Sequence, residues 1–385
     1  MKIALTYFLA GSGHFREAYS IAKELQKRGH ETNLIGIENR LELSHKISAK
    51  ICLWYFRWQM SLFLLFGEQS TVEDLDKKMS PKSRLAELLV FWFRKLEYLL
   101  GSFIKEDLGL DGYDAIISTH PMASVLAVGA GLPRVINICP DEVGEVTSSF
   151  FKVNNLTTGV NSKRVQDIFQ KLGFNGDIRV VGHPLDPDVL EKRQEVYERI
   201  QKNSKTGNIC LGVFAGWITP QSQKREILSV ARELKNILSL DNISVKFLVG
   251  NHQDLEKKIR EIFIDDELRK KVEIITADTV YELVEVSHRL LVKDIDVLFC
   301  RPSELVFYSL ALGMPAILFP GVGPGERDMS ALLQKYARIK SYSEMEGYLS
   351  IYLKDRQNLA KISSDLYESG YNFDGAKNTA ALLDL

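Results

Sequence analysis

The sequence predicts an α/β protein built as two Rossmann-like βα domains facing each other across a cleft. Three observations carry this expectation. Residues 2–9 form a short apolar run with β-branched and aromatic side chains; the small-residue turn Ala10-Gly11-Ser12-Gly13 and an amphipathic stretch over 15–28 follow. The same order of strand, loop and helix recurs over 113–185 and again over 208–319. Between the two series, residues 186–206 are polar and charged and hold no apolar strand, which makes them the domain boundary.

Length and composition set the limits. A chain of 385 residues suffices for two α/β domains with their own cores. Lys+Arg 49 against Asp+Glu 50 leaves a formal charge of −1, which removes any global electrostatic case for nucleic acid. Cys52, Cys139, Cys210 and Cys300 are far apart and show no C-x-x-C spacing, so zinc is not expected and a reducing, cytoplasmic setting fits. The chain enters a strand at residue 2, so no secretory leader is expected. No run of about 20 uncharged apolar residues marks a membrane span.

The first unit justifies itself residue by residue. Ala18, Ile21, Ala22 and Leu25 recur at i, i+3, i+4, i+7 and give the first helix one apolar face, with Gly29 at its end. A strand, a glycine turn and a helix start place backbone N–H groups at the top of a sheet, an arrangement that binds anions or lets a ligand lie against the backbone. His14 stands at the lip of that turn. Residues 31–37 read as the second strand. Two aromatic stretches follow, 43–66 and 85–104, read as helices joined by a polar, acidic link over 71–81. Three of the four tryptophans lie there beside Lys46, Lys50, Arg57, Arg94 and Lys95. Aromatics beside cations suit a membrane interface; ordinary core helices or a dimer face are the alternatives, and core is the expectation for most of these side chains.

Residues 113–118, 133–138, 156–160 and 178–181 read as further strands of the first domain. The second domain reads as strands over 208–214, 245–249, 272–275, 296–299 and 315–319. Helices fall between them over 221–238, 255–263, 280–287 and 304–312, and helices fill the remainder. The expected limits are 1–185 with the insertion at about 43–105, a linker over 186–206, a second domain over 207–370, and a helix over 371–385 packing back on the first.

Several pieces in register resemble the GT-B glycosyltransferases, and most closely the branch of diacylglycerol glycosyltransferases (monogalactosyldiacylglycerol synthase) and the lipid II N-acetylglucosaminyltransferase. Gly11-Ser12-Gly13-His14 resembles that branch's glycine turn ending in histidine. Residues 114–121 (DAIISTHP) resemble its "PDxIxxxHP" strand, and 180–184 (VVGHP) its domain crossover. Residues 297–320 resemble its donor-binding strand, helix and strand, and Pro324-Gly325-Glu326 the "PGQE" that follows. The chain departs from the pattern in three places. Ala215-Gly216-Trp217 stands where a Gly-Gly-Ser type loop is usual, Tyr308 where the ribose-holding glutamate is usual, and Glu326 where a glutamine contacts the donor sugar.

The resemblance implies transfer of a sugar from a nucleotide diphosphate sugar, UDP-hexose by analogy, to a hydroxyl of a membrane lipid such as diacylglycerol, with inversion and without a metal or cofactor. Under it, His14 is the candidate base and Asp141 its orienting or acceptor-contacting partner. Gly11, Ser12 and Gly13 form the acceptor-side loop. Gly216, Trp217, Arg301, Ser303, Glu304, Tyr308, Gly325 and Glu326 are the candidate donor residues, with the helix start at Ser303 and Glu304 placed for the diphosphate. His120 and His183, each before a proline, read as structural strand-end residues. A UDP-sugar epimerase or soluble-acceptor transferase on the same fold is one alternative. The altered donor loops carry another, a non-catalytic nucleotide-sugar or lipid binding protein.

Overall fold

Among the described residues the strands of both sheets pair in parallel, so each connection must carry the chain back to the same sheet edge, and helices make most of those returns. The structure, a computed structural model, describes residues 1–8, 12–69, 84–132, 134–140, 148, 153, 155–238, 242–321, 326, 329–330 and 340–384, with the backbone alone for 59–69 and 84–91. The chain divides into two units. The first holds Met1–Pro187, Val322–Met329 and Asn372–Leu385; the second holds Asp188–Gly321 and Ser330–Tyr371.

The first unit is a six-stranded sheet of β1 (Lys2–Tyr7), β2 (Glu31–Gly36), β3 (Ala115–Ser118), β4 (Val135–Cys139), β5 (Thr157–Val160) and β6 (Ile178–Val180), in the order β2-β1-β3-β4-β5-β6. The central strands β1, β3 and β4 are buried on both faces, which is why their sequences read as continuous apolar runs rather than alternating ones. The first helix, Gly13–Lys27, starts two residues earlier than its apolar period suggests and buries Ala18, Ile21, Ala22 and Leu25. The helix Gly375–Ala381 lies against it, and the Arg28 guanidinium donates to the Lys377 carbonyl at 2.9 Å. Lys23 on the same helix donates to the buried carboxylate of Asp186 at 2.9 Å.

The aromatic insertion is two helices, Ile47–Gln69 and Arg84–Phe103; the acidic link 71–81 lies outside the described residues. Their inward faces complete the core. Ala49, Cys52, Leu53, Tyr55, Phe56, Leu100 and Ile104 pack with Phe8, Ile35, Ile116 and Leu126. The second insertion helix crosses the Pro121–Gly129 helix at two glycines. A Cβ at Gly129 would run into the carbonyl of Tyr98, and one at Gly101 into the carbonyl of Leu126. Backbone meets backbone here because neither residue has a side chain.

The second unit is a sheet of β7 (Ile209–Phe214), β8 (Ile243–Gly250), β9 (Val272–Thr276), β10 (Val297–Cys300), β11 (Ala316–Leu318) and β12 (Lys340–Ser341), in the order β12-β11-β10-β7-β8-β9. Strand β12 was not expected. It is two polar residues, held only by pairing Lys340 with Ile317 and Ser341 with Leu318, so it leaves no apolar pattern to read. The polar stretch 186–206 carries two helices, Pro187–Glu191 and Arg193–Thr206. The longer one buries Val196 and Ile200 and lies against the Arg356–Tyr367 helix, where Tyr197 stacks on Tyr367 at 4.2 Å. Among the described residues no helix is long and apolar enough to cross a membrane.

The glycine crossing makes a direct prediction. Gly129→Ala should destabilise the protein by about 1–3 kcal/mol through overpacking, read as a fall in the denaturation midpoint in urea. Gly29→Ala is the control on space: a Cβ there meets nothing within 4 Å, and only its positive φ of 81° opposes the change.

Candidate functional site

In a parallel sheet the strand ends splay apart where the order reverses, and ligands bind outside the carboxyl ends at that point. The first sheet reverses between β1 and β3, the second between β7 and β10. Each unit therefore has one such crevice, and each crevice gathers residues that the sequence marked.

In the first unit the crevice lies where β1 runs out through Phe8 and where β3 runs into Thr119 and His120. Ser12 is nearly buried and its carbonyl accepts from the Arg16 N–H at 2.9 Å, which starts the Gly13–Lys27 helix. His14 is in the first turn, its imidazole 16% exposed. The Thr119 hydroxyl donates to the His14 carbonyl at 2.8 Å, and the Thr119 N–H donates to the Thr6 carbonyl at 3.1 Å, so the loop after β3 is tied to β1 and to the helix start. The rings of His14 and His120 meet edge to face, centroids 5.0 Å apart. His14 Nδ1 also faces the Glu17 carboxylate one turn on, at 3.5 Å, and Glu17 is 2% exposed.

His120 is the cap of the Pro121–Gly129 helix: its Nδ1 accepts from the Met122 N–H at 3.3 Å. Its other neighbours are aromatic, Phe8 at 5.1 Å and Phe56 of the insertion at 6.1 Å. Burial in that sleeve pushes the imidazole well below its ordinary range, and the charges of His14 and then Arg94 push it further. His183 is buried, its Nδ1 2.8 Å from the Pro140 carbonyl and its N–H donating to the Asn372 carbonyl, so it ties the end of the first series to the returning C-terminal segment. Gly11 and Asp141 lie outside the described residues.

In the second unit the crevice is bounded by the loop after β7, the turn after β8 and the loop after β10. Gly250 turns β8 at a φ of +58°, a conformation that suits glycine, and this brings His252 round. The His252 Nε2–H donates to the Gly216 carbonyl at 3.1 Å, and the Thr219 hydroxyl donates to the same oxygen at 2.9 Å. Burial lowers the His252 pKa; the bond to Gly216 partly offsets it. From the other side Arg301 donates through Nη1 to the Ile218 carbonyl at 2.9 Å. Gly216 thus lies within a loop held on both flanks, with Trp217 half-buried beside it. Ser303 stands at the cap of the Glu304–Leu312 helix and makes no side-chain cap bond, while Glu304 is nearly buried in the first turn.

So Gly216, Trp217, Arg301, Ser303 and Glu304 all stand on the two loops that bound one crevice. Tyr308 does not. It is 1% exposed, its ring 4.8 Å from His288, because the Glu304–Leu312 helix is buried on every side and one turn in from its start the side chain already meets core. Tyr308 thus stands apart from the other candidate donor residues, packed within its unit. Glu326 belongs to the first unit rather than the second, and Gly325 lies outside the described residues. Sequence reading missed His252, Thr219, Glu17 and the sleeve around His120. The strand end Gly250-Asn251-His252 was visible, but that β8 neighbours β7 was not.

No family model and no curated protein matches the sequence. Solved structures are similar over nearly the whole chain. They include a putative UDP-N-acetylglucosamine 2-epimerase from Listeria monocytogenes, 8% identical with a TM-score of 0.59, covering 100% of this chain and 96% of that one. A UDP-GlcNAc 2-epimerase from Neisseria meningitidis bound to UDP-GlcNAc is 11% identical with a TM-score of 0.56, covering 100% of both. Acinetobacter baumannii MurG is 12% identical with a TM-score of 0.51, covering 100% of this chain and 99% of that one. At these identities the likeness shows the fold, and the fold is GT-B.

The depressed His120 has a pH signature. The unfolded chain binds its proton below an ordinary value near 6.5 while the folded state resists it, so stability is full above that pH and is lost as pH falls below it. His120→Asn keeps an acceptor for the Met122 N–H and removes the titration. Thermal melts between pH 5 and 7.5 should show a shallower decline for the variant than for the wild type.

Proposed function

We propose that this chain is a glycosyltransferase that moves a hexose from a UDP-sugar to a hydroxyl of a membrane lipid, diacylglycerol by analogy, at the cytoplasmic membrane face. The observation that carries this reading is the pairing of one imidazole with one strand-reversal crevice and a cationic, helix-start crevice with the other. His14 at the first is suited to accept a proton. Arg301 and the start of the Glu304–Leu312 helix at the second are suited to a diphosphate. The similar Neisseria meningitidis epimerase is bound to UDP-GlcNAc, which supports a UDP-linked donor.

The chemistry is a single displacement. The acceptor hydroxyl gives its proton to His14, its oxygen forms the new bond to the anomeric carbon, and the bond from that carbon to the diphosphate oxygen breaks, with the diphosphate leaving on its electron pair. Positive potential at Arg301 and the helix start stabilises that leaving charge.

The lipid acceptor rests on the insertion. Ile47, Ile51, Trp54 and Trp58 recur at i, i+4, i+7, i+11 on one helix, and Trp92, Leu96, Leu99 and Phe103 repeat that spacing on the other. All eight are between 40% and 76% exposed. A cavity of about 410 Å³ lies between the two rows, with Lys95 over the Trp92 ring at its edge. Lys50 and Lys95 stand exposed beside these rows, which suits an anionic lipid surface.

A UDP-sugar epimerase is the second reading, favoured by the Listeria and Neisseria epimerases among the similar structures. Incubation with a panel of UDP-sugars and a lipid extract, followed by mass spectrometry, separates the two. Released UDP with a new glycolipid supports transfer; an isomerised UDP-sugar without acceptor supports epimerisation; neither product, with UDP still bound, leaves a binding protein. On the transferase reading His14→Ala should lower kcat by about 10²–10⁴-fold with UDP affinity unchanged. In a separate test, Trp54→Ser with Trp92→Ser should cut binding to anionic vesicles by roughly tenfold or more in a flotation assay; binding that persists at the wild-type level would remove the membrane argument.

A further inference from the structure

We propose that Glu17 is the positioning residue of His14. The inference rests on the reading of His14 as the base and assigns its partner to the same helix rather than to a distant loop. The geometry begins with helical spacing. Residues i and i+3 share a face, and in the first turn of Gly13–Lys27 this sets the Glu17 carboxylate 3.5 Å from His14 Nδ1. Glu17 is 2% exposed, and a carboxylate taken that far from water is stabilised by a hydrogen-bonding cation or N–H donor. A contact of 3.5 Å is long for a hydrogen bond, as such contacts are before a ligand closes the site.

The consequence is a choice of tautomer. With Nδ1–H directed to Glu17, the lone pair of neutral His14 is on Nε2, the nitrogen that must take the acceptor's proton. When Nε2 takes it, the imidazolium that results sits beside a carboxylate that lowers its energy. Among the described residues, the charged and titratable groups near this imidazole include Glu17 on its own helix, His120 from the loop after β3, and Arg94 of the Arg84–Phe103 helix, which pairs with the buried Glu97 and whose charge is felt at His120. His120 is held toward its neutral form, while the Glu17 carboxylate faces His14 Nδ1 at 3.5 Å. Because base and partner share one helical turn, no second element is needed to bring them together.

The test is imidazole NMR on the whole protein with labelled histidine, which needs no substrate. The wild type should show neutral His14 as the Nδ1–H tautomer. In Glu17→Gln, which keeps the shape and removes the charge, the His14 pKa should fall by about one pH unit, and Glu17→Asp should recover part of that fall. An Nε2–H tautomer in the wild type, or a His14 pKa unchanged in Glu17→Gln, overturns the proposal. If Glu17→Gln does not fold, the wild-type tautomer decides alone. Turnover separates the two layers: a wild type that moves no sugar defeats the transferase reading while leaving the Glu17–His14 pairing to the NMR result. Where turnover is found, the acid limb of the kcat/KM pH profile should move with the NMR value in Glu17→Gln.

Discussion

A parallel sheet delivers every strand to the same edge, and its ends separate only where the strand order reverses. That constraint organises both units of this protein. It sets Phe8 and Ser12 beside Thr119 and His120 in one, and the 215–219 loop beside Arg301–Glu304 in the other. The candidate chemistry follows from which residues the sequence spends on those few positions: two histidines and a buried glutamate at the first, an arginine, a histidine and an uncapped helix start at the second.

The insertion belongs to the same account. One face of its first helix sends Phe56 onto Phe8 at 4.1 Å and against His120, so the helix is part of the sleeve that keeps His120 neutral. The opposite face, through Ile47, Ile51, Trp54 and Trp58, is left in solvent. A single amphipathic period therefore joins the histidine cluster to the exposed aromatic rows. The second helix packs backbone to backbone on the Pro121–Gly129 helix because Gly101 and Gly129 carry no side chain.

Much of this was legible in the residues. Apolar runs located eleven of the twelve strands, most plainly the central ones, which are buried on both faces. The twelfth, Lys340–Ser341, is edge pairing without an apolar signature. His14 and the Arg301–Glu304 helix start were visible as local chemistry, while residues 10 and 11 of the expected turn lie outside the described residues. What stayed hidden depends on neighbours distant in sequence. The partnership of His252 with Gly216 needs β8 beside β7, and that of His14 with His120 needs β3 beside β1. Tyr308 shows the opposite case: counting along a helix gave its position, while its burial on a helix with no open face needed the packing. The polar stretch 186–206 likewise hid a helix whose two buried apolar positions, Val196 and Ile200, are too few to stand out.

The central claim is that the two crevices divide the work, with nucleotide at the second. Amide hydrogen exchange with and without UDP tests it most directly. The account predicts protection confined to the 214–219, 250–252 and 300–306 segments, with 12–20 and 118–124 unchanged. Protection centred on His14 and His120 instead, with none at Gly216 or Arg301, would contradict it.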